Sequence, residues 1–171
     1  IRIVLADDHA VLRAGLRALL NAESDIVVVG EAGDGEEALH AIAVHQPDII
    51  VLDLMMPKVK GLDIIEQISK SYPHTRVLVL TMHADTQYIR HVVKMGGAGY
   101  ILKSSADTEL IKAIRVVASG GSYLTPEATH VLISDYRGDE SLLPSHPKGL
   151  ELLSEREHEV LVMTALGYSS R

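Results

Sequence analysis

Apolar runs rich in β-branched residues return at regular intervals through the first hundred residues: "IRIVLA" (1–6), "IVVVG" (26–30), "DIIVLD" (48–53), "TRVLVLT" (75–81) and "GYILK" (99–103). Between them lie segments with helical spacing. In "AVLRAGLRALL" (10–20), Val11, Leu12, Leu16, Leu19 and Leu20 share one helical face. "DGEEALHAIAVH" (34–45), "GLDIIEQISKS" (61–71), "DTQYIRHVVKM" (85–95) and "DTELIKAIRVVAS" (107–119) follow the same pattern. Gly96-Gly97 and Gly120-Gly121 stop the last two. Strands that read as continuous apolar runs are buried on both faces, which requires helices on each side. The expected fold is α/β, a five-stranded parallel doubly wound sheet.

Composition narrows the function classes. The chain has 171 residues, no cysteine and a net charge of −7. Disulfides and thiolate metal sites are excluded, and a reducing, cytoplasmic setting is the expectation. A whole-chain basic footprint for nucleic acid is absent. No apolar run approaches the ~20 residues of a membrane helix, and "IRIVLADD" lacks the basic start and apolar stretch of a signal peptide. With neither Trp nor Phe, the core must be built from Leu, Ile, Val and Met.

The character changes after residue 121. Pro126 sits where a helix can begin, with Thr125 as its cap. "RGDESLLPSHPKG" (137–149) gathers Gly, Pro, Ser and charge and reads as a linker. Beyond it, Ser154 and Glu157 form a capping box ahead of Val160, Leu161 and Ala165, with Gly167 as a helix stop. The expected organisation is a domain over 1–121, a helical linker over 122–149 and a helical fragment over 150–171.

The unusual polar residues fall at strand ends. Strand one ends in Asp7, Asp8 and His9, strand three in Asp53, strand four in Thr81 and strand five in Lys103. Ligands of open parallel sheets bind at the carboxyl ends of strands, near a topological switch point. If strands one and three are neighbours, three carboxylates converge and repel, and a hard divalent ion relieves them. A lysine and a threonine hydroxyl facing that ion suit a phosphoryl group, with an aspartate as acceptor. Taken singly, Asp7 or Asp8 could be a helix cap, Thr81 a strand-end hydroxyl and Lys103 a solvated cation. All of these holding at one sheet edge is the weaker reading.

"LADDH" (5–9), "VLDLMMPKVKG" (51–61), "VLVLT" (77–81) and "GYILK" (99–103) together resemble the receiver domain of two-component response regulators, a flavodoxin-like fold. "LLSEREHEVL" (152–161) and "GYSSR" (167–171) resemble the opening of a LuxR-type helix-turn-helix, and "AIRVVASGGSYLTPE" (113–127) fits the NarL/FixJ class. The resemblance implies Asp53 as phosphoacceptor. Asp8, Asp53 and the backbone carbonyl of Met55 would hold Mg²⁺ directly, and Asp7 through water. Lys103 would pair with the phosphoryl group, Thr81 would bond one of its oxygens, and Tyr100 would follow as the switch aromatic. Met55 and His83 occupy positions that tune the lifetime of the aspartyl phosphate. The implied partners are a sensor histidine kinase, a second copy of the chain after phosphorylation, and promoter DNA for the full-length protein.

Two departures qualify that reading. Ser104 stands where the family often has proline after a cis peptide. The recognition helix of a LuxR-type domain would lie beyond Arg171, and residues 148–171 carry three Lys/Arg against four Asp/Glu. Specific DNA binding by this chain alone is therefore not expected. "GDGEEA" (33–38) also fits a dinucleotide fingerprint, but Glu31, Asp34, Glu36 and Glu37 would meet pyrophosphate with acid. A glycine turn with Asp34 as helix cap is the stronger reading. His9, His83 and His91 form no tight metal-ligand pair on one helical face. A rival function, an Mg²⁺-dependent phosphohydrolase with Asp53 as nucleophile, would need an acid/base carboxylate two residues on, where Met55 stands. A stand-alone receiver acting through protein contacts is the other alternative. The chain is not expected to be a free-standing enzyme.

Overall fold

A computed structural model describes residues 1–82 and 85–136. Six parallel strands form one sheet in the order β2-β1-β3-β4-β5-β6. They are β1 (Arg2–Ala6), β2 (Val27–Ala32), β3 (Ile49–Leu52), β4 (Arg76–Thr81), β5 (Gly99–Leu102) and β6 (Tyr123–Leu124). The helices are α1 (Ala10–Asn21), α2 (Gly35–His45), α3 (Gly61–Ser71), α4 (Thr86–Lys94), α5 (Ala106–Ala118) and α6 (Pro126–Tyr136).

Alternation along each strand separates two apolar layers, because successive side chains point to opposite faces. Val4, Ala6, Ile50, Leu52, Val77, Val79 and Tyr100 face α2, α3 and α4, with Ala128 and Leu132 of α6 in the same layer. Ile3, Leu5, Ile49, Val51, Leu78, Leu80 and Ile101 face α1 and α5. All four residues of β3 are buried. That is the physical meaning of the uninterrupted "IIVL".

The expected five-strand sheet gains a sixth strand. Gly120 (φ +92°) and Gly121 close α5 with amide bonds to the Val117 and Val116 carbonyls. The chain then returns, and Tyr123 donates to the Ala98 carbonyl at 3.0 Å. Tyr123 and Leu124 pair with Gly99 and Tyr100, covering what would be an open strand edge. Tyr123 and Leu124, near the start of the expected linker, thus pair with the sheet. Two residues are too short to show a period. α6 begins at Pro126 as expected, and Thr125 Oγ1 accepts from the Ala128 amide. β5 ends at Leu102, so Lys103 opens a single 3₁₀ turn, Lys103–Ser105. No peptide is cis among the described residues, Lys103–Ser104 included. His83 and the expected linker and helix-turn-helix segments over 137–171 lie outside the described residues.

β1 lies between β2 and β3, so the chain reverses its direction of travel across the sheet there. A reversal opens a crevice at the carboxyl ends of the strands. Asp7, Asp8 and Asp53 follow directly on β1 and β3 at that crevice.

Candidate functional site

The acidic pair after β1 does not cap the helix that follows. His9 holds the N-cap position of α1 and makes no side-chain cap bond. Instead Asp7 Oδ1 accepts from the His9 amide at 2.8 Å, and His9 Nδ1 lies 2.8 Å from Asp8 Oδ1 and 3.1 Å from Asp7 Oδ1. The turn folds the carboxylates back over the strand end. Arg13, one helical turn beyond His9, donates from Nη1 to the Asp7 carbonyl and from Nε to Glu31 at 3.0 Å. It ties the acidic turn to the end of β2.

Asp53 is held from both sides. Its amide donates to the Ala6 carbonyl at 2.8 Å, and its Oδ1 receives the Met55 amide at 3.3 Å. Behind it, Gly61 starts α3 so close that a Cβ there would stand 1.8 Å from the Asp53 carbonyl oxygen. No side chain fits that gap, which explains the glycine eight residues after the acid. The β3–α3 loop is latched at its far end. Lys58, at φ +58°, pairs with Asp34, and the Gly35 amide donates to the Val59 carbonyl at 2.9 Å. Asp34 also caps α2 by accepting from the Glu37 amide at 2.9 Å. That amide and the Lys58 ammonium hold its carboxyl below the usual range. The "GDGEEA" segment is therefore a capped helix start.

Lys103 closes the site. Its Nζ donates to Asp53 Oδ2 at 2.7 Å and lies 2.7 Å from Asp7 Oδ2. Lysine, Asp53 and Asp7 side chains are all nearly fully buried. Burial opposes the ammonium, but the two carboxylates outweigh it and hold its pKa above the ordinary lysine value. Asp7 Oδ2 is buried and meets Lys103 as an ion pair. One ligand atom each from Asp7, Asp8, His9 and Asp53 lies within 4.8 Å of the others. Three crowded carboxylates sharing one ammonium carry excess negative charge, which fits a small hard cation such as Mg²⁺. Thr81 is fully buried at the end of β4. Tyr100 is buried in the middle of the sheet, level with Val79 and Leu124. Burial pushes its phenol pKa up, and the nearby Asp85 adds to that.

This geometry brings Asp7, Asp8, Asp53 and Lys103 into contact and sets Thr81 at the same edge of the sheet. The family model of the response regulator receiver domain matches residues 3–115, from β1 into α5. The chain belongs to the response regulator receiver family. Two relatives extend the match. The transcriptional regulatory protein DegU of Brevibacillus brevis is 40% identical over 182 aligned residues, covering 100% of this chain and 77% of that protein. The oxygen regulatory protein NreC of Staphylococcus epidermidis is 42% identical over 175, covering 99% and 79%. Among solved structures, a LuxR-family two-component response regulator from Aurantimonas sp. SI85-9A1 superposes with a TM-score of 0.74 at 32% identity, covering 80% of this chain and 97% of that one. RcsB, in a structure of two dimers bound to two parallel DNAs, superposes with a TM-score of 0.71 at 25% identity, covering 99% and 78%. The receiver is of the NarL/FixJ class, response regulators that control transcription in a phosphorylation-dependent way.

Three contributors to the receiver site carried little signal in the sequence. His9 was one histidine among several candidates. Arg13 could be found only by its position one turn beyond the acidic pair. Lys58 meets Asp34 across 24 residues, which no local pattern reveals. No described helix is long and apolar enough to cross a membrane.

Proposed function

We propose that Asp53 is the phosphoacceptor of this receiver and that a phosphohistidine of a cytoplasmic sensor histidine kinase is its donor. An Asp53 carboxylate oxygen attacks phosphorus in line. The P–N bond to the donor imidazole breaks, and that nitrogen leaves with the bond's electron pair and takes up a proton. Asp8, Asp53 and the Met55 carbonyl would hold Mg²⁺ directly, and Asp7 through water. When bound, Mg²⁺ neutralises charge on the phosphoryl oxygens. Lys103, paired with Asp53 beforehand, turns to the phosphoryl oxygens as the Asp53 carboxylate gives up its charge on bonding phosphorus. The Thr81 hydroxyl bonds a phosphoryl oxygen, and Tyr100 shifts with it. The acyl phosphate carries roughly −1.5 to −2 charge where the carboxylate carried −1, and spreads it over three new acceptor oxygens, which favours one of two arrangements of Thr81, Tyr100 and α4. Dimerisation follows, and two copies match two half-sites on promoter DNA in the full-length protein. On this reading residues 1–121 are the receiver, 122–149 the linker, and 150–171 the start of a LuxR-type DNA-binding domain. The protein acts chemically only on its own aspartyl phosphate and is not a free-standing enzyme.

The observation that carries this reading is the Lys103 ammonium, 2.7 Å from Asp53 Oδ2 inside a crowded acidic cluster. The test is intact mass after incubation with Mg²⁺ and a small-molecule phosphodonor. One phosphoryl adduct is expected on the natural chain and none on Asp53→Asn. Equal adducts on both would remove Asp53 from its role.

A further inference from the structure

β4 joins two different ends of the sheet. Its carboxyl end, Thr81, faces the acidic site. Its first residue, Arg76, lies five residue steps away, about 17 Å along the strand. There a cleft of about 340 Å³ opens, with Ser69, Thr75, Gly96, Gly97 and Ser122 around Arg76. The chain carries 23 Asp and Glu against 16 Lys and Arg, yet among the described residues no carboxylate lines this cleft.

Arg76 is short of partners. Its Nη2 donates to the Gly121 carbonyl over a long 3.2 Å. Its Nε is buried and has no hydrogen-bond partner. Among the described residues it makes no ion pair. A guanidinium offers five N–H donors, so most of its capacity is unspent. Leaving such donors half-buried is costly unless an acceptor fills the space. The cleft wall supplies further donors. Thr75 spends its hydroxyl on the Pro47 carbonyl at 2.8 Å, but the Ser69 and Ser122 hydroxyls have no protein partner among the described residues. Gly96, at φ +93°, keeps the wall bare beside Ser69, since a Cβ there would stand 2.7 Å from Ser69 Oγ.

We propose that this cleft is a second anion site, taking a tetrahedral oxyanion: inorganic phosphate or the phosphate of a small monoester. Arg76 anchors the anion through Nη1, which no described protein group engages, and the Ser69 and Ser122 hydroxyls bond its remaining oxygens. Guanidinium pairs with phosphate as a planar fork, which a chloride cannot reproduce. The site is separate from the acidic cluster, where three carboxylates outnumber the one lysine and repel a free anion.

The experiment is a titration of the ¹⁵N-labelled chain with inorganic phosphate, in EDTA, at constant ionic strength against chloride. Saturating amide shifts are expected at Gly96, Gly97 and Ser122, with Met55 and Thr81 still. Arg76→Gln should weaken the affinity about tenfold or more, the scale of one charge-assisted bond. Ser122→Asp, at an exposed rim position, should do the same by placing a carboxylate in the cleft. It carries the test by itself if Arg76→Gln does not fold. Glycerol phosphate, run in parallel, decides the source: saturation by it as well assigns a monoester, saturation by the free ion alone assigns phosphate. Shifts that stay linear, match those of chloride, or survive Ser122→Asp would overturn the site. Saturation by acetate but not by phosphate would overturn the tetrahedral assignment.

Discussion

Two cations in this receiver each stand between two carboxylates, in opposite surroundings. Lys103 meets Asp53 and Asp7 with side chains only 4% and 5% exposed. Arg115 meets Asp25 and Glu23 at 2.8 and 2.7 Å with side chains 34–47% exposed. The distances are alike and the charges balance alike. Solvent makes the difference. Water screens the Arg115 cluster, so its contribution to stability is small whatever its geometry. The Lys103 cluster has lost its water, and its attraction must offset a desolvation cost that often exceeds it. A fold selected for stability alone has little reason to build the second arrangement. Its value is chemical, because a buried, poorly solvated carboxylate beside a fixed cation is prepared for charge to arrive.

Breaking the buried cluster should have the largest effect. Lys103→Met leaves Asp7 and Asp53 buried without a cation, and about 3–5 kcal/mol of stability should disappear in urea denaturation. Mg²⁺ should return part of it by binding the same carboxylates, and a midpoint unmoved by both changes would mean that the cluster is more hydrated than its burial implies. Gly61→Ala disturbs the same cluster from behind. The added Cβ meets a backbone oxygen that cannot rotate away, so Asp53 or α3 must shift, at a cost of about 1–3 kcal/mol. Phosphoryl adduct formation should slow with it, and the rate is the measurement that separates a displaced Asp53 from a loosened helix.

The Lys58–Asp34 pair lies between the two extremes: its carboxylate is buried, its ammonium 65% exposed. The Asp34 carboxyl is held below the usual range first by the Glu37 amide and then by Lys58. A depressed carboxyl adds stability above its unfolded value, near pH 3.9, and loses it as pH falls through the lower folded value. Asp34→Asn should therefore flatten the acid limb of the stability curve below about pH 4 and leave the alkaline limb unchanged. Parallel acid limbs in the two proteins would contradict the assignment. Arg115→Gln should do least. The guanidinium pKa is raised, by Asp25 first and Glu23 second, but the group is solvated, and its denaturation midpoint should shift little in low salt and less in high salt.

Much of this was legible along the chain. Uninterrupted runs such as "IIVL" and "VLVLT" announce strands covered on both faces, because no other placement hides every side chain. Helices α1 to α5 begin and end within about two residues of where apolar spacing and glycine pairs put them. Asp7, Asp8, Asp53, Thr81 and Lys103 could be nominated because each directly ends an apolar run. β6 could not, since its two residues form a strand only because the edge of β5 is there to receive them. Nor could the linking roles of Arg13 and Lys58, whose partners are remote in sequence.

The sequence by itself determined which residues alternate, which runs must be buried and which end of each strand carries charge, since these follow from side-chain chemistry and a period of two or 3.6. Only the tertiary structure decided that β1 and β3 are neighbours, that Lys103 points between Asp53 and Asp7 rather than into water, and that Arg76 is left short of a partner. Those outcomes depend on crossovers that bring together residues far apart in the chain, Lys103 with Asp53 fifty positions away and with Asp7 beyond that. Sequence spacing carries no record of which distant strand will lie alongside, because pairing is chosen by the burial of the whole sheet.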